Sequence, residues 1–306
     1  MDWRKEIEAA AARIGPHVLQ TPVIVADPGL GLPVELKLEH LQHTGSFKVR
    51  GAFNTLLSQP VPAAGVVAAS GGNHGAAVAH AARALGHRAQ IFVPEIAGPA
   101  KIALIRETGA NLTVVPGAYQ NALEAAQAHE RQTGAMQVHA YDAPATLAGQ
   151  GTILREWEAQ GLAADTVLIA VGGGGLIGGA LGWLQGRRKV VAVEPELAPT
   201  LNRALVEGAD AEVEVGGVAA NALGARRIGR LCHGLAVEAG IVSVLVTDDA
   251  ILSAQRLLWR RLRQFVEPAG ATALAALVSG AYRPAPGERV AVLVCGANVA
   301  PDPLES

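Results

Sequence analysis

Short apolar runs alternate with helix-like stretches along most of the chain. Runs of strand length lie at 65–70 (GVVAAS), 89–94 (AQIFVP), 111–116 (NLTVVP), 165–171 (DTVLIAV), 189–195 (KVVAVEP) and 289–296 (RVAVLVCG). They are nearly continuous in hydrophobicity, as strands are when helices cover both faces of a parallel sheet. Between them, apolar or alanine-rich helical stretches run from Tyr119 to Gln132, from Thr152 to Gln160 and from Asp248 to Phe265, with Thr247 placed to cap the last. This βαβ grammar predicts an α/β protein with open parallel sheets. No solenoid repeat or low-complexity segment breaks it. Because the alternation crosses every candidate boundary, the pattern alone sets no domain cut.

With 306 residues, 50% of them hydrophobic, the chain can bury a large core. A net charge of −2 with dispersed basic residues offers no face for nucleic acid, which leaves small-molecule chemistry as the expectation. Cys232 and Cys295 are too few for a disulfide framework and form no metal-type spacing, which fits a reducing cytoplasm. The N-terminal stretch mixes both charge signs at helical spacing and lacks the apolar core of a leader. No apolar stretch approaches the ~20 residues of a membrane span. A soluble, unprocessed, cytoplasmic protein that meets no membrane is expected. Glycine, at 36 residues, is about 12% of the chain against a usual ~7%, so the places where it clusters carry information.

Two glycine clusters follow strand-like runs, where open α/β sheets bind ligands. In VLIAVGGGGLIGGAL, Gly172, Gly173, Gly174 and Gly175 lead into a helix. Successive backbone N–H groups and the helix dipole suit a phosphate there, while the plainer reading is close helix–strand packing. Gly173, Gly175 and Gly178 also spell G-x-G-x-x-G, with Glu194 about 20 residues on, which read alone supports NAD and an oxidoreductase. In GVVAASGGNHGAA, Ser70, Gly71, Gly72, Asn73 and His74 form a second turn before a helix. Its donors suit a carboxylate or a phenolic oxygen; the plainer reading makes Ser70 and Asn73 caps and His74 a helix-surface residue. In LKLEHLQHTGSFKVRGAF, an alternating run ends and Lys48 follows a Gly-Ser turn. A desolvated lysine there is a Schiff-base nucleophile, although a lone Lys near an Arg is ordinarily solvated.

Together these stretches resemble the fold type II pyridoxal-phosphate enzymes (tryptophan synthase beta-like), and within them the threonine/serine dehydratases and serine racemases. The motifs KLEHLQHTGSFKVRGA, SGGNHGAA, AGQGT at 148–152, GGGGLIGG, FVEPAGA at 265–271 and CGAN at 295–298 recur in family order over nearly the whole chain. The resemblance implies two open parallel-sheet domains with the cofactor between them. A large domain would comprise 1–60 and 148–306, and a small mobile α/β domain 61–147. It implies that Lys48 carries pyridoxal 5′-phosphate as a Schiff base, with Phe47 beside the ring and Asn73 on the phenolic oxygen. Gly172, Gly173, Gly174, Gly175 and the Leu176 backbone would hold the phosphate, and Cys295 would face the pyridine nitrogen. Ser70, Gly71, Gly72, Asn73 and His74 would take the carboxylate of a small amino-acid substrate. A homodimer is implied too, with which a solvent-facing N-terminal helix is compatible.

A thiol is a poor acid and leaves the pyridine close to neutral, a weak electron sink that favours β-elimination over transamination. The expectation is a dehydratase, an ammonia-lyase that converts an L-β-hydroxy amino acid, threonine or serine first, to a 2-oxo acid and ammonia. Lys48 would be the base. Gly71 stands where the racemases place a second, serine base, which argues against the racemase alternative. Glu194 and Ala198 match cation-binding positions of some members, but Thr200 replaces the acid, so no metal is expected. The chain ends just past the last motif, so no regulatory domain is expected. The side-chain pocket falls to loops such as VHAYDAP and GGVAANALGA. Glu267 either lies near the cofactor or caps a helix, and Cys232 reads as structural.

Overall fold

The computed structural model describes residues 1–117 and 119–299. Ala118 and residues 300–306, the end of the expected large domain, lie outside the described residues. The strands are β1 Val23–Ala26, β2 Val34–Leu38, β3 Val66–Ala69, β4 Ala89–Pro94, β5 Asn111–Val115, β6 Met136–Gln137, β7 Thr166–Ala170, β8 Lys189–Pro195, β9 Val242–Val246 and β10 Val290–Val294. All six predicted runs are strands. The strands β1, β6 and β9 were not predicted: all three lie at sheet edges, β6 is two residues long, Ser243 interrupts β9, and β1, though apolar as VIVA, is only four residues long.

Two sheets result. The larger has the order β1-β2-β10-β7-β8-β9, parallel except where β1 pairs antiparallel with β2. The smaller has the order β5-β4-β3-β6 and is parallel throughout. Strand order reverses between β7 and β10 in the first sheet and between β3 and β6 in the second. Such reversals open crevices beyond the carboxyl ends of the strands. The glycine loop follows β7, Cys295 follows β10, and the 70–74 turn follows β3, so three predicted site segments emerge at the two reversals.

The predicted helix from Thr152 begins at Pro144 instead and runs Pro144–Ala159, so the expected 147/148 boundary falls inside one helix. Glycines in its first half disguised it as a turn. They serve close approach instead: a Cβ at Gly149 would stand 2.6 Å from the Arg50 carbonyl oxygen on helix Lys48–Leu57, and one at Gly179 would stand 2.5 Å from Gly151 N. Thr247 caps helix Asp248–Leu262 as expected, its hydroxyl accepting from Ala250 N at 3.2 Å. The N-terminal helix Trp3–Ile14 does not simply face solvent. It buries Trp3, Ile7, Ala10 and Ile14, setting Ile7 against Gly151 and Trp3 against Gly182.

The largest apolar cluster surrounds the six-stranded sheet. A second joins Val66, Ala68, Ile91 and Val93 of the small sheet to Val49, Ala52, Phe53 and Leu56. The helix that carries Lys48 is therefore packed into the small-sheet core on one side and against Pro144–Ala159 on the other.

Candidate active site

Lys48 is the first residue of its helix. The segment before it is stitched to the chain leaving β10: Ser46 and Gly296 form an antiparallel bridge, Phe47 N donates to Cys295 O at 3.2 Å, and Ala297 N donates to Gly45 O at 2.9 Å. The first and last motifs thus meet through backbone. The Lys48 amine donates to Ala140 O at 2.9 Å, and among the described residues no carboxylate pairs with it. The side chain keeps some exposure through the cavity it lines, but its amine sits deep among protein atoms. Desolvation lowers its pKa from 10.5 to about 8, against the opposing pulls of Cys295 and Glu267. The lysine is not a solvated surface residue; near neutral pH an appreciable share of it is a free amine.

The tetraglycine turn is held by its surroundings in a form that excludes side chains. Gly174 has φ +91, and a Cβ there would lie 2.5 Å from Cys232 Sγ. A Cβ at Gly173 would enter the Tyr141 ring, one at Gly172 would stand 2.8 Å from Leu223 Cα, and one at Gly175 2.9 Å from Tyr141 Cα. What remains is bare backbone at the start of helix Gly175–Leu184, a cradle for an anionic group. Cys232 is structural, as expected: it is buried beneath Gly174, and burial pushes its thiol acidity far out of reach.

At the second turn, Gly72 N donates to Ser70 Oγ at 3.2 Å, and helix Asn73–Ala84 starts with no side-chain cap. Asn73 is turned into the cavity: its Nδ2 donates to Glu267 Oε1 at 2.6 Å, and its Oδ1 accepts from Asn298 Nδ2 at 2.7 Å. His74 is buried, not on the helix surface, with Nε2 2.9 Å from Val138 O. Burial, then the charge of Lys48, lowers its pKa to about 3, so the imidazole is neutral and Nε2–H donates.

Phe47, Lys48, Asn73, Gly172, Gly173, Gly174, Gly175, Leu176 and Cys295 line one cavity. Ser70, Gly71, Gly72 and His74 do not line it but adjoin it through Asn73. Cys295 is buried, its Sγ 3.4 Å from Ala269 O, and burial pushes the thiol well above its ordinary pKa, so it stays neutral. Glu267 takes the first of its two expected places: it lines the cavity and makes no side-chain cap to the helix it precedes. Tyr141, Ala222 and Leu223 also line it and were not named as site residues, although they lie in the two loops expected to shape the pocket.

Glu194 is fully buried in β8 and caps helix Thr200–Glu207, accepting from Leu201 N at 2.6 Å and Asn202 N at 2.8 Å. Desolvation raises its pKa to about 7. A carboxylate spent in this way cannot also hold a nucleotide ribose, which removes the support for a dinucleotide site. Thr200 donates to Ala225 O, and among the described residues no group of three His, Cys, Asp or Glu is placed to hold a metal. No helix among the described residues is long and apolar enough to cross a membrane.

A buried amine without a carboxylate partner, a cradle with no room for Cβ atoms and a neutral thiol in one cavity fit an aldehyde cofactor with a phosphate tail. Comparison with known proteins agrees. The family described as "Pyridoxal-phosphate dependent enzyme" matches residues 14–296. Phenylserine dehydratase of Ralstonia pickettii is 37% identical over 300 residues, 95% of this chain and 92% of that protein. The crystal structure of the threonine deaminase of T.th. superposes with a TM-score of 0.90 at 35% identity, covering 98% of this chain and 99% of the other. Maize serine racemase gives 0.90 at 29% identity, covering 97% and 93%. The chain accordingly belongs to the pyridoxal-phosphate-dependent enzymes, has their type II fold, and takes pyridoxal phosphate as its cofactor.

Proposed function

We propose that the protein is a dehydratase that converts an L-β-hydroxy amino acid to a 2-oxo acid and ammonia by α,β-elimination. The observation that carries this reading is the desolvated Lys48 amine, with a pKa of about 8, in one cavity with the glycine cradle and a neutral thiol. The backbone of Gly172–Gly175 and Leu176 would hold the phosphate, Asn73 Nδ2 would donate to the phenolic oxygen, and Phe47 would lie beside the ring. Bound pyridoxal phosphate supplies an electron sink conjugated to the substrate Cα.

Lys48 would hold the aldehyde of the bound cofactor, and its amine, once free, would take the Cα proton of the substrate. The N–H groups and hydroxyl of the Ser70–His74 turn bind the substrate carboxylate, which fixes the Cα–H bond toward that amine. The neutral Cys295 thiol would add no charge at the pyridine nitrogen, which favours prompt loss of the β-hydroxyl, and the proton taken up by Lys48 would leave with it as water. The enamine that results hydrolyses in water to the 2-oxo acid and ammonia.

Gly71 supports elimination over racemisation. A Cβ at Gly71 would run into the Ala97 methyl group, so the turn has no room for a second base opposite Lys48. The names borne by the relatives, phenylserine dehydratase and threonine deaminase, support a β-hydroxy amino acid as substrate. The sequence put threonine and serine first, and phenylserine joins them.

The test is the absorbance of the purified protein reconstituted with pyridoxal phosphate, followed by addition of L-threonine, L-serine and L-phenylserine. Bound-cofactor absorbance that vanishes in Lys48→Ala, and 2-oxo acid from at least one substrate, are expected. Release of the opposite enantiomer without 2-oxo acid would overturn the proposal in favour of racemisation.

A further inference from the structure

A second cavity, about 170 Å³ in volume, adjoins the first and shares Ala222, Glu267 and Ala269 with it. Two residues of its lining, Glu267 and Asn298, are hydrogen bonded to Asn73 at 2.6 and 2.7 Å. It therefore opens one side chain away from the turn proposed to hold the substrate carboxylate. A substrate anchored by its amine near Lys48 and by its carboxylate at that turn has one substituent still to place, the β-carbon with whatever it carries. We infer that this second cavity receives the β-substituent and that its preferred occupant is a neutral aromatic ring, so that β-aryl-β-hydroxy amino acids are turned over in preference to threonine and serine. The inference rests on the dehydratase reading above.

Size and charge both decide the class. Apart from the hydroxyl, the β-carbon of serine carries only hydrogen and that of threonine one methyl group, and neither fills such a space; a cavity of about 150 Å³ accommodates benzene. No lysine or arginine is among the described residues that line the second cavity, and the acidic Glu267 lines both. A second substrate carboxylate, as in β-hydroxyaspartate, would be desolvated beside a like charge. Of the three amide side chains in the wall, Asn221 is exposed to solvent and the other two have donors already engaged. Asn298 Nδ2 already donates to Thr44 O and Asn73 Oδ1, and Gln255 Nε2 donates to Val266 O. Val218, Ala219, Pro268 and Val299 supply apolar wall.

The experiment uses the reconstituted holoenzyme with two readouts. Absorbance titrations with L-phenylalanine and L-alanine, which lack a leaving hydroxyl, report binding; 2-oxo acid formed from L-phenylserine and L-threonine reports turnover. L-Phenylalanine is expected to bind at least ~10-fold more tightly than L-alanine, with kcat/KM for phenylserine exceeding that for threonine by a similar factor. Val218→Phe and, separately, Ala219→Leu narrow the cavity and should lower the phenylserine-to-threonine ratio of kcat/KM about ten-fold. Equal or tighter binding of L-alanine overturns the inference. So does a ratio unmoved in both variants while they hold cofactor and melt as the wild type does. Turnover of threonine without phenylserine removes this inference and leaves the dehydratase reading standing. Turnover of neither of these nor of L-serine, with L-phenylalanine still preferred, removes the dehydratase reading and keeps the ring site.

Discussion

Lys48 shows function set against stability at one position. Its folded pKa of about 8 lies below the ordinary 10.5 because the amine has left water without gaining a carboxylate partner. Between those two values the unfolded chain binds more protons than the folded one, so stability rises with pH across that window, and below it the buried charge is a burden. Lys48→Met should therefore melt at a higher temperature than the wild type at pH 7 and lose most of the slope between pH 8 and 10, while 2-oxo acid formation falls by at least ~1,000-fold. Thermal melts at several pH values check the first half and a ketoacid assay the second. The same shift predicts that the cofactor-free protein condenses with pyridoxal phosphate at a rate that climbs toward pH 8 and then flattens. A climb continuing toward pH 10.5 would show a lysine with ordinary solvation.

Residues 138–142 link β6 to helix Pro144–Ala159 and act as a strap over the glycine turn. The Asp142 carboxylate accepts from Arg230 N and Leu231 N at 3.0 Å each, at the start of helix Arg230–Ala239, and His139 Nδ1 accepts from Tyr141 N and Asp142 N. Ala140 meets the Lys48 amine, and Tyr141 lies on Gly173 and Gly175. Asp142→Ala releases this strap, and a lost cap of about 1 kcal/mol should weaken cofactor binding several-fold. Asp142→Asn, which keeps an acceptor, should restore part of it. Cofactor dissociation constants from absorbance titration provide the measurement, and three equal values would rule the strap out as a positioning element. The sequence marked this loop as part of the pocket but could not disclose its anchoring through Asp142. Lys48, Asn73 and the glycines stand in short contiguous motifs, whereas Asp142 meets partners 88 and 89 positions away and belongs to no periodic pattern. For the same reason strands β3, β4, β7, β8 and β10 were readable from continuous apolar runs, while two-residue β6 was not.

The molecule is tied together beneath the site by a buried set of charges. Lys37 Nζ, with no exposure, donates to Glu156 Oε1 at 2.5 Å, Gln160 Oε1 at 2.7 Å and Thr21 O at 2.8 Å. Arg50 pairs with Glu39 at 2.7 Å and with Glu156 at 2.9 Å. The two cations balance the two carboxylates and join β2, the Lys48 helix and helix Pro144–Ala159. Removing one carboxylate leaves a buried guanidinium without its bidentate partner, so Glu39→Ala should destabilise the fold by roughly 3–5 kcal/mol in denaturant titration. A loss below about 1 kcal/mol would show the set to be solvated. The alternating charges of β2 hid this arrangement, since polar residues at every second position ordinarily mark a face in water. One feature of the large sheet also governs how the chain is born. Strand β10 lies between β2 and β7, yet among the described residues it is the last strand along the chain, and the backbone that seats Lys48 is stitched to the residues just after it. A nascent chain therefore carries two unsatisfied β edges and no seated lysine until residues 290–297 emerge, which delays cofactor capture until β10 has been made and docked.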